Sequence, residues 1–142
     1  MTTTHLELTD APSLDAEKMI GEGLDQFNFQ ITGQQHSRPL SVLIRDAESG
    51  NVLGGLVGRT SLGLFFADLI FVPESLRGSG VGAKIMRMAE TEAIRRGCNQ
   101  AFLFTIAFQA PEFYRRLGYE EFARIVSGPP DQARIFFRKR LG

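Results

Sequence analysis

A glycine-rich run in the middle of the chain is the stretch whose residues could do chemistry most directly. It consists of Arg77, Gly78, Ser79, Gly80, Val81 and Gly82. A turn of this kind between a strand and a helix presents free main-chain N–H groups and the positive end of the helix dipole. Glycine lets the main chain approach a ligand closely. The run therefore predicts a site for phosphate or pyrophosphate.

Two common phosphate-binding motifs fit this run poorly. A Walker A loop needs Gly before Lys84 and Ser or Thr after it, whereas the sequence has Ala83 and Ile85 there. The dinucleotide-binding motif fits in its looser form, but residues 93–111 contain no acid to bind a ribose. A turn without a ligand is the structural alternative, although three glycines and an arginine exceed what a plain turn requires.

The elements that position this run follow from apolar periodicity and from Gly and Pro punctuation. These patterns predict one or two short helices over residues 11–30, strands over 40–45, 52–59 and 64–72, a helix over 80–96, a strand over 100–106, a short helix from Pro111, and strands over 119–126 and 133–138. The first three strands are expected to form an antiparallel meander. The order predicts an α+β domain with helices packed on one central sheet, spanning residues 1–142.

Composition limits the classes of function. Lys and Arg number 16 and so do Asp and Glu, with no long basic run, which disfavours nucleic-acid binding. The single cysteine, Cys98, excludes an internal disulfide and is expected to be a buried structural thiol. His5 and His36 lie apart without Cys or His neighbours, so no metal site is predicted. No segment reaches the ~20 apolar residues that span a bilayer, so we predict a cytoplasmic protein without a membrane partner.

On these motifs the chain resembles the GNAT acetyltransferases, and within them a small bacterial branch. The pattern from Arg77 to Gly82, Arg-x-x-Gly-x-Gly, is similar to that family's coenzyme A pyrophosphate motif, and the strongest resemblance runs from Asp68 to Tyr119. The resemblance implies a central mixed, mostly antiparallel sheet of six to seven strands flanked by about four helices.

The resemblance also implies where coenzyme A would lie. The strand ending at Val72 would carry a bulge and splay from the strand at residues 101–106, and pantetheine would enter the gap and pair with main chain there. The cofactor-binding residues implied in this way are Phe71, Val72, Arg77, Gly78, Ser79, Gly80, Val81, Gly82 and Phe108. Many family members carry Asn where this chain has Ala107, and the segment Phe108-Gln109-Ala110 is the candidate replacement.

Amine acetylation makes chemical demands that specific residues could meet. An amine with a pKa of ~10.4 must lose a proton before it attacks a thioester, and a donor must stabilise the oxyanion. By resemblance, Tyr114 would protonate the leaving thiolate, and Asp68 would accept the amine proton, with Glu74 as a weaker candidate. Core packing of Tyr114 and a solvated strand-face role for Asp68 are the structural alternatives.

The resemblance thus implies an acetyl-CoA-dependent N-acetyltransferase that needs no metal. It would transfer the acetyl group directly to a primary amine of a small molecule or peptide, without a covalent intermediate on Cys98. The alternative is a non-catalytic acyl-CoA-binding module that acts as a sensor or in an assembly. A homodimer is plausible by analogy and by the general frequency of two-fold oligomers.

Overall fold

The computed structural model describes residues 2–34 and 36–142, and within them it contains three α-helices and six β-strands. The elements are β1 (Ser37–Arg45), β2 (Val52–Ser61), β3 (Leu64–Phe71), β4 (Gln100–Ile106), β5 (Glu120–Ile125), β6 (Arg134–Arg140), α1 (Leu14–Thr32), α2 (Val81–Arg95) and α3 (Pro111–Arg116). Single 3₁₀ turns lie at Glu74–Leu76 and Pro130–Gln132. The chain divides into two compact units, Met1–His36 and Ser37–Gly142.

The N-terminal unit is built on α1, which is one continuous helix where one or two short helices were predicted. Ser13 caps its start, because the Ser13 Oγ accepts a hydrogen bond from the Ala16 N–H at 3.1 Å. Gly33 ends it in a left-handed conformation and donates its N–H to the Phe29 carbonyl at 2.8 Å. With one helix in this segment, the described helices number three and not about four.

The C-terminal unit is a mixed sheet with the strand order β1-β2-β3-β4-β6-β5. Strands β1, β2 and β3 form the predicted antiparallel meander. The β3–β4 pair is parallel, as expected for strands joined by a helical crossover, which here is α2. The pairs β4–β6 and β5–β6 are antiparallel. The predicted α+β class and mostly antiparallel sheet are therefore confirmed.

Helix α2 packs on one face of this sheet. Its buried side chains include Ile85, Met86 and Ala89, which join Leu56 and Phe65 in the core. Burying a side chain of this size contributes about 1.5–3 kcal/mol, so this packing fixes the position of the helix.

Arg96 anchors the C-terminal end of α2. Its Nη1 donates to the Pro39 carbonyl at 3.0 Å and to Thr60 Oγ1 at 3.1 Å, and its Nε donates to Glu92 Oε2 at 2.8 Å. Pro39 lies on β1 and Thr60 on β2. The helix is therefore held at one end to the first two strands, with its N-terminus following the end of β3.

Strands β3 and β4 separate part of the way along their length. They pair from Leu64 with Gln100 to Phe66 with Phe102, after which β3 continues to Phe71 and β4 to Ile106. Along the same stretch β3 stays paired with β2, and β4 stays paired with β6. Asp68 is an extra residue on β3 where the β2–β3 register shifts, which makes it a bulge. The bulge and the splay that the resemblance implied are both present.

Candidate active site

The gap between β3 and β4 opens into a cleft of about 940 Å³. A cleft of this size suits a small-molecule ligand. It is lined by Ile70, Phe71, Val72, Leu76, Arg77, Gly78, Gly80, Val81, Gly82, Ala83, Thr105, Phe108, Gln109, Ala110, Phe113, Tyr114, Arg116 and Leu117. Residues from β3, the glycine-rich turn, the start of α2, the end of β4 and α3 thus line one continuous site.

The glycine-rich turn presents main-chain donors at the N-terminus of α2. Gly78 and Gly80 have φ angles of 78° and 85°, a left-handed conformation that glycine adopts without strain. Gly80 is the N-cap, and the first helical bond runs from the Lys84 N–H to its carbonyl at 3.1 Å. No described side chain caps this end of α2. The N–H groups of residues 81–83 therefore precede the first intrahelical donor and have no partner within the helix.

Arg77 ties the turn to the end of β3. Its Nε donates a hydrogen bond to the Val72 carbonyl at 2.9 Å, which fixes the side chain at the edge of the cleft. Ser79 differs from the other predicted cofactor-binding residues in the direction of its side chain. Its Oγ donates to the Leu76 carbonyl at 2.5 Å, and it is not among the residues that line the cleft. Its side chain therefore stabilises the turn.

Tyr114 on α3 is 5% exposed and still reaches the cleft wall. Its ring packs against Phe113, Tyr119 and Phe137 with centroid distances of 5.0, 6.2 and 6.0 Å. Burial raises the pKa of the Tyr114 phenol to about 12, because an apolar surrounding disfavours the phenolate. The phenol therefore keeps its proton throughout the physiological range and can act as a donor.

Tyr119 belongs to a separate buried network behind this wall. Its hydroxyl donates to Glu90 Oε2 at 2.7 Å, and Lys139 Nζ lies 2.8 Å from Glu90 Oε1. Burial, followed by the charge of Glu90, raises the pKa of Tyr119. These contacts join α2 to β6 and to Tyr119, whose ring packs against Tyr114, so the network supports the Tyr114 wall structurally.

Asp68 lies outside the residues that line the cleft. Arg59 Nη1 contacts both of its carboxylate oxygens, at 2.9 Å for Oδ1 and 2.8 Å for Oδ2. The Arg59 guanidinium also lies 4.2 Å above the centre of the Phe66 ring. Side chains alternate along a strand, so Phe66 faces away from the sheet side that holds the buried Phe65. The structure thus brings together the predicted cofactor residues other than Ser79, together with Tyr114, and places Asp68 in an ion pair apart from them.

Sequence reasoning missed part of the cleft wall. Thr105 lines it from the end of β4 and Phe113 lines it from α3, whereas Gln109, which lines it from the following turn, belongs to the segment already named as the candidate replacement for the family's Asn. The Phe113 ring lies so close to Gly82 that a Cβ there would meet it at 3.2 Å. The proline at the start of α3 was a signal for the helix, but the side of the helix that faces the cleft depends on tertiary packing.

Comparison with known proteins places this site in a family. Residues 39–121 match the acetyltransferase (GNAT) domain. The chain belongs to the GNAT acetyltransferase family. It is similar to acetyltransferase Atu2258 of Agrobacterium fabrum, with 35% identity over 94% of this chain and 97% of that protein. It is also similar to blasticidin-S acetyltransferase of Streptomyces morookaense, with 38% identity over 70% of this chain and 75% of that protein.

A solved structure extends the match to three dimensions. A crystal structure of a chain from Agrobacterium tumefaciens aligns with this GNAT acetyltransferase at a TM-score of 0.85 and 34% identity. The alignment covers 97% of this chain and 100% of that chain. The predicted family, the fold and the assignment as an acetyltransferase are therefore confirmed.

Three further features concern Cys98, groups of metal-ligating side chains, and membrane spans. Cys98 is buried, as predicted, and burial raises the pKa of its thiol, which disfavours the nucleophilic thiolate. Among the described residues, no group of three or more His, Cys, Asp or Glu side chains is arranged to hold a metal ion. No described helix combines the length and apolar character needed to cross a membrane.

Proposed function

We propose that this GNAT acetyltransferase transfers the acetyl group of acetyl-CoA directly to a primary amine. The observation that carries the proposal is the union of the β3–β4 gap, the uncapped α2 N-terminus and Tyr114 in one cleft. The gap suits an extended arm, the helix end suits a pyrophosphate, and the phenol suits a leaving thiolate. Acetyl-CoA has all three of these parts, an extended arm, a pyrophosphate and a thiol that leaves as a thiolate.

The residues of the turn fit a pyrophosphate. A Cβ built on Gly80 would meet no atom of the described residues within 4 Å, so the space in front of this main chain is open to a ligand. The α2 dipole and the N–H groups of residues 81–83 favour an anion there. Arg77 adds a positive charge at the edge of the same cleft.

The roles of the cleft residues follow from this placement. When bound, acetyl-CoA supplies an activated acyl group on a thiol. We assign Tyr114 to proton donation toward the sulfur as the C–S bond breaks and the thiolate leaves, because its phenol is protonated and lines the cleft. Main-chain N–H groups near Val72 are assigned to the carbonyl oxygen that gains charge. Asp68 stays our predicted proton acceptor. Because it also forms an ion pair with Arg59, the assignment is tested by replacing each of the two residues.

The acceptor is proposed to be a small-molecule or peptide amine. The similarity to blasticidin-S acetyltransferase makes blasticidin S the first acceptor to assay. Other small primary amines and peptide N-termini are the next classes. We further propose that residues 1–142 act as one domain. We also propose that the chain forms a homodimer, and light scattering of the purified protein would test this oligomeric state.

Calorimetric titration with coenzyme A and acetyl-CoA tests the proposal. The Gly80→Glu variant places a carboxylate where the pyrophosphate would lie, and we expect it to weaken both ligands at least about tenfold. Gly50→Glu is the matched control. Gly50 has a φ of 75°, a Cβ there would also meet no described atom within 4 Å, and it does not line the cleft.

The outcomes separate cleanly. Binding to the wild type and to Gly50→Glu, with loss in Gly80→Glu, supports the cofactor site. Equal weakening in both variants would reduce the effect to backbone strain. No binding of either ligand by the folded wild type would overturn the proposal.

A further inference from the structure

The turn after β4 holds a side-chain amide in a fixed orientation. Gln109 Oε1 accepts a hydrogen bond from Thr105 Oγ1 at 2.9 Å and another from the Ile106 N–H at 3.0 Å. The main chain closes the same turn, because the Gln109 N–H donates to the Ile106 carbonyl at 2.8 Å. A main-chain N–H can only donate, so the atom facing Ile106 must be the amide oxygen. The Gln109 Nε2 therefore lies on the other side of the amide.

The strand geometry shows which edge of β4 this amide occupies. The Ala107 N–H donates to the Ala133 carbonyl at 2.9 Å, on the side of β4 that pairs with β6. Successive N–H groups along a strand point to opposite edges. The Ile106 N–H therefore points to the β3 side, where the sheet has opened. Gln109 thus satisfies a strand donor inside the gap, and both Gln109 and Thr105 line the cleft.

The oxygen of this amide is fully used and its two N–H donors are not used by these contacts. Two acceptor sites on Oε1 meet two donors, which holds the amide plane in place. Such a pre-oriented donor loses little side-chain freedom when it binds an acceptor. A carbonyl in an extended arm lying along the gap is the acceptor that this position would meet.

We propose that Gln109 is a cofactor-binding residue that donates from Nε2 to an amide carbonyl of the pantetheine arm. The inference rests on the proposed function, since it places that arm in the β3–β4 gap. It gives the segment after Ala107 a definite role, because the side chain of Gln109 extends the edge of β4 by one amide. The partner is a neutral carbonyl, so the contribution is independent of the charge at the α2 N-terminus.

Gln109→Glu tests this assignment with little change in shape. The carboxylate keeps an oxygen for Thr105 and Ile106 but replaces the Nε2 donors with a second acceptor. The titrated ligands are coenzyme A and adenosine 3′,5′-bisphosphate, which carries phosphates but no pantetheine arm. We expect about tenfold or greater weakening of coenzyme A, and a change of less than about twofold for the bisphosphate.

Gln109→Ala is the companion variant. It removes both the amide oxygen and the Nε2 donors. Because the side chain is exposed, we expect the variant to fold, and to lose at least as much coenzyme A affinity as Gln109→Glu. A melting curve and a circular dichroism spectrum accompany each titration.

Each result has one meaning. Selective loss of coenzyme A affinity in both variants supports a donor to the pantetheine arm. Unchanged coenzyme A affinity in Gln109→Glu would leave the side chain as a clamp on the β4 turn and overturn the inference, while the proposed function stands. Equal weakening of both ligands would also overturn it, since the phosphates would then report charge repulsion. Failure of the wild type to bind coenzyme A would remove the proposed function itself.

Discussion

Arg59 holds both carboxylate oxygens of Asp68 within 2.9 Å, across the β2–β3 pair and at the β-bulge of β3. The two side chains are 44% and 39% exposed, so solvent reaches the pair. Asp68 therefore has two candidate roles to separate, proton acceptor of the reaction and purely structural half of a surface ion pair. Exposed ion pairs contribute little stability, about 0–1 kcal/mol, so the two roles predict different phenotypes.

Asp68→Asn distinguishes them. As the proton acceptor, Asp68 should contribute on the order of 100-fold to kcat, with unchanged coenzyme A affinity. The measurement is steady-state release of free thiol with a saturating amine. Arg59→Gln is the control for the ion pair. A kcat for Asp68→Asn close to that of the wild type would show that the pair is structural and that the acceptor of the amine proton lies elsewhere.

Tyr114→Phe should lower kcat by about 100-fold or more while the dissociation constant of coenzyme A changes less than about twofold. The reason is that the substitution removes a proton donor and leaves the ring packing in place. Tyr119→Phe is the matched control, because Tyr119 packs 6.2 Å away and donates to Glu90 instead of lining the cleft. Equal kcat losses in the two variants would contradict a specific role for Tyr114.

The pH dependence of stability should carry the signature of Tyr114. Its folded pKa is raised to about 12, whereas an unfolded phenol ionises near ~10. The stabilisation is fully present below about pH 10 and is lost as pH rises toward about 12, because the unfolded chain gives up its proton first.

We therefore expect the wild type to lose about 1 kcal/mol relative to Tyr114→Phe between about pH 8 and pH 11. Urea unfolding of both proteins across this range measures the difference. Tyr119 is present in both, and the main causes of its raised pKa, burial and the charge of Glu90, are the same in both. Parallel stability curves would show that burial does not perturb this phenol.

Arg96→Ala should reduce the free energy of unfolding by about 1–3 kcal/mol, because it removes donors to Pro39, Thr60 and Glu92. Arg95→Ala is the matched control. Arg95 pairs with the same Glu92, but its side chain is 65% exposed against 13% for Arg96. We expect less than about 0.5 kcal/mol for Arg95→Ala by urea unfolding, and similar losses in the two variants would refute the anchoring role.

The glycine-rich turn could be predicted because its signal is local. The φ angles of Gly78 and Gly80 and the start of α2 depend on a few consecutive residues, and the structure places them as the pattern indicated. The bounds of β4 were also predictable, since an apolar run ends there before a turn and Pro111. The glycine-rich turn and the bounds of β4 thus follow from short-range order.

The remainder of the site depends on pairings between distant positions. The contact between Arg59 and Asp68 depends on the β2–β3 register, in which Arg59 pairs with Phe66, and no local pattern reports that register. The role of Gln109 depends on the direction of one strand N–H at the point where two strands separate. The position of Ser79 in the motif does not report the direction of its side chain, whose hydroxyl donates to the Leu76 carbonyl.

The separation of β3 from β4 gives this protein a sheet edge in its interior. Exposed edges at the rim of a sheet invite pairing with other chains and lead to aggregation, and proteins commonly cover or interrupt them. Here the unpaired edge runs along a cleft that the first turn of α2 and the side chains of α3 also line. The fold can therefore offer strand-type hydrogen bonds to a slender molecule inside the cleft, at an edge distinct from the outer rims that β1 and β5 form.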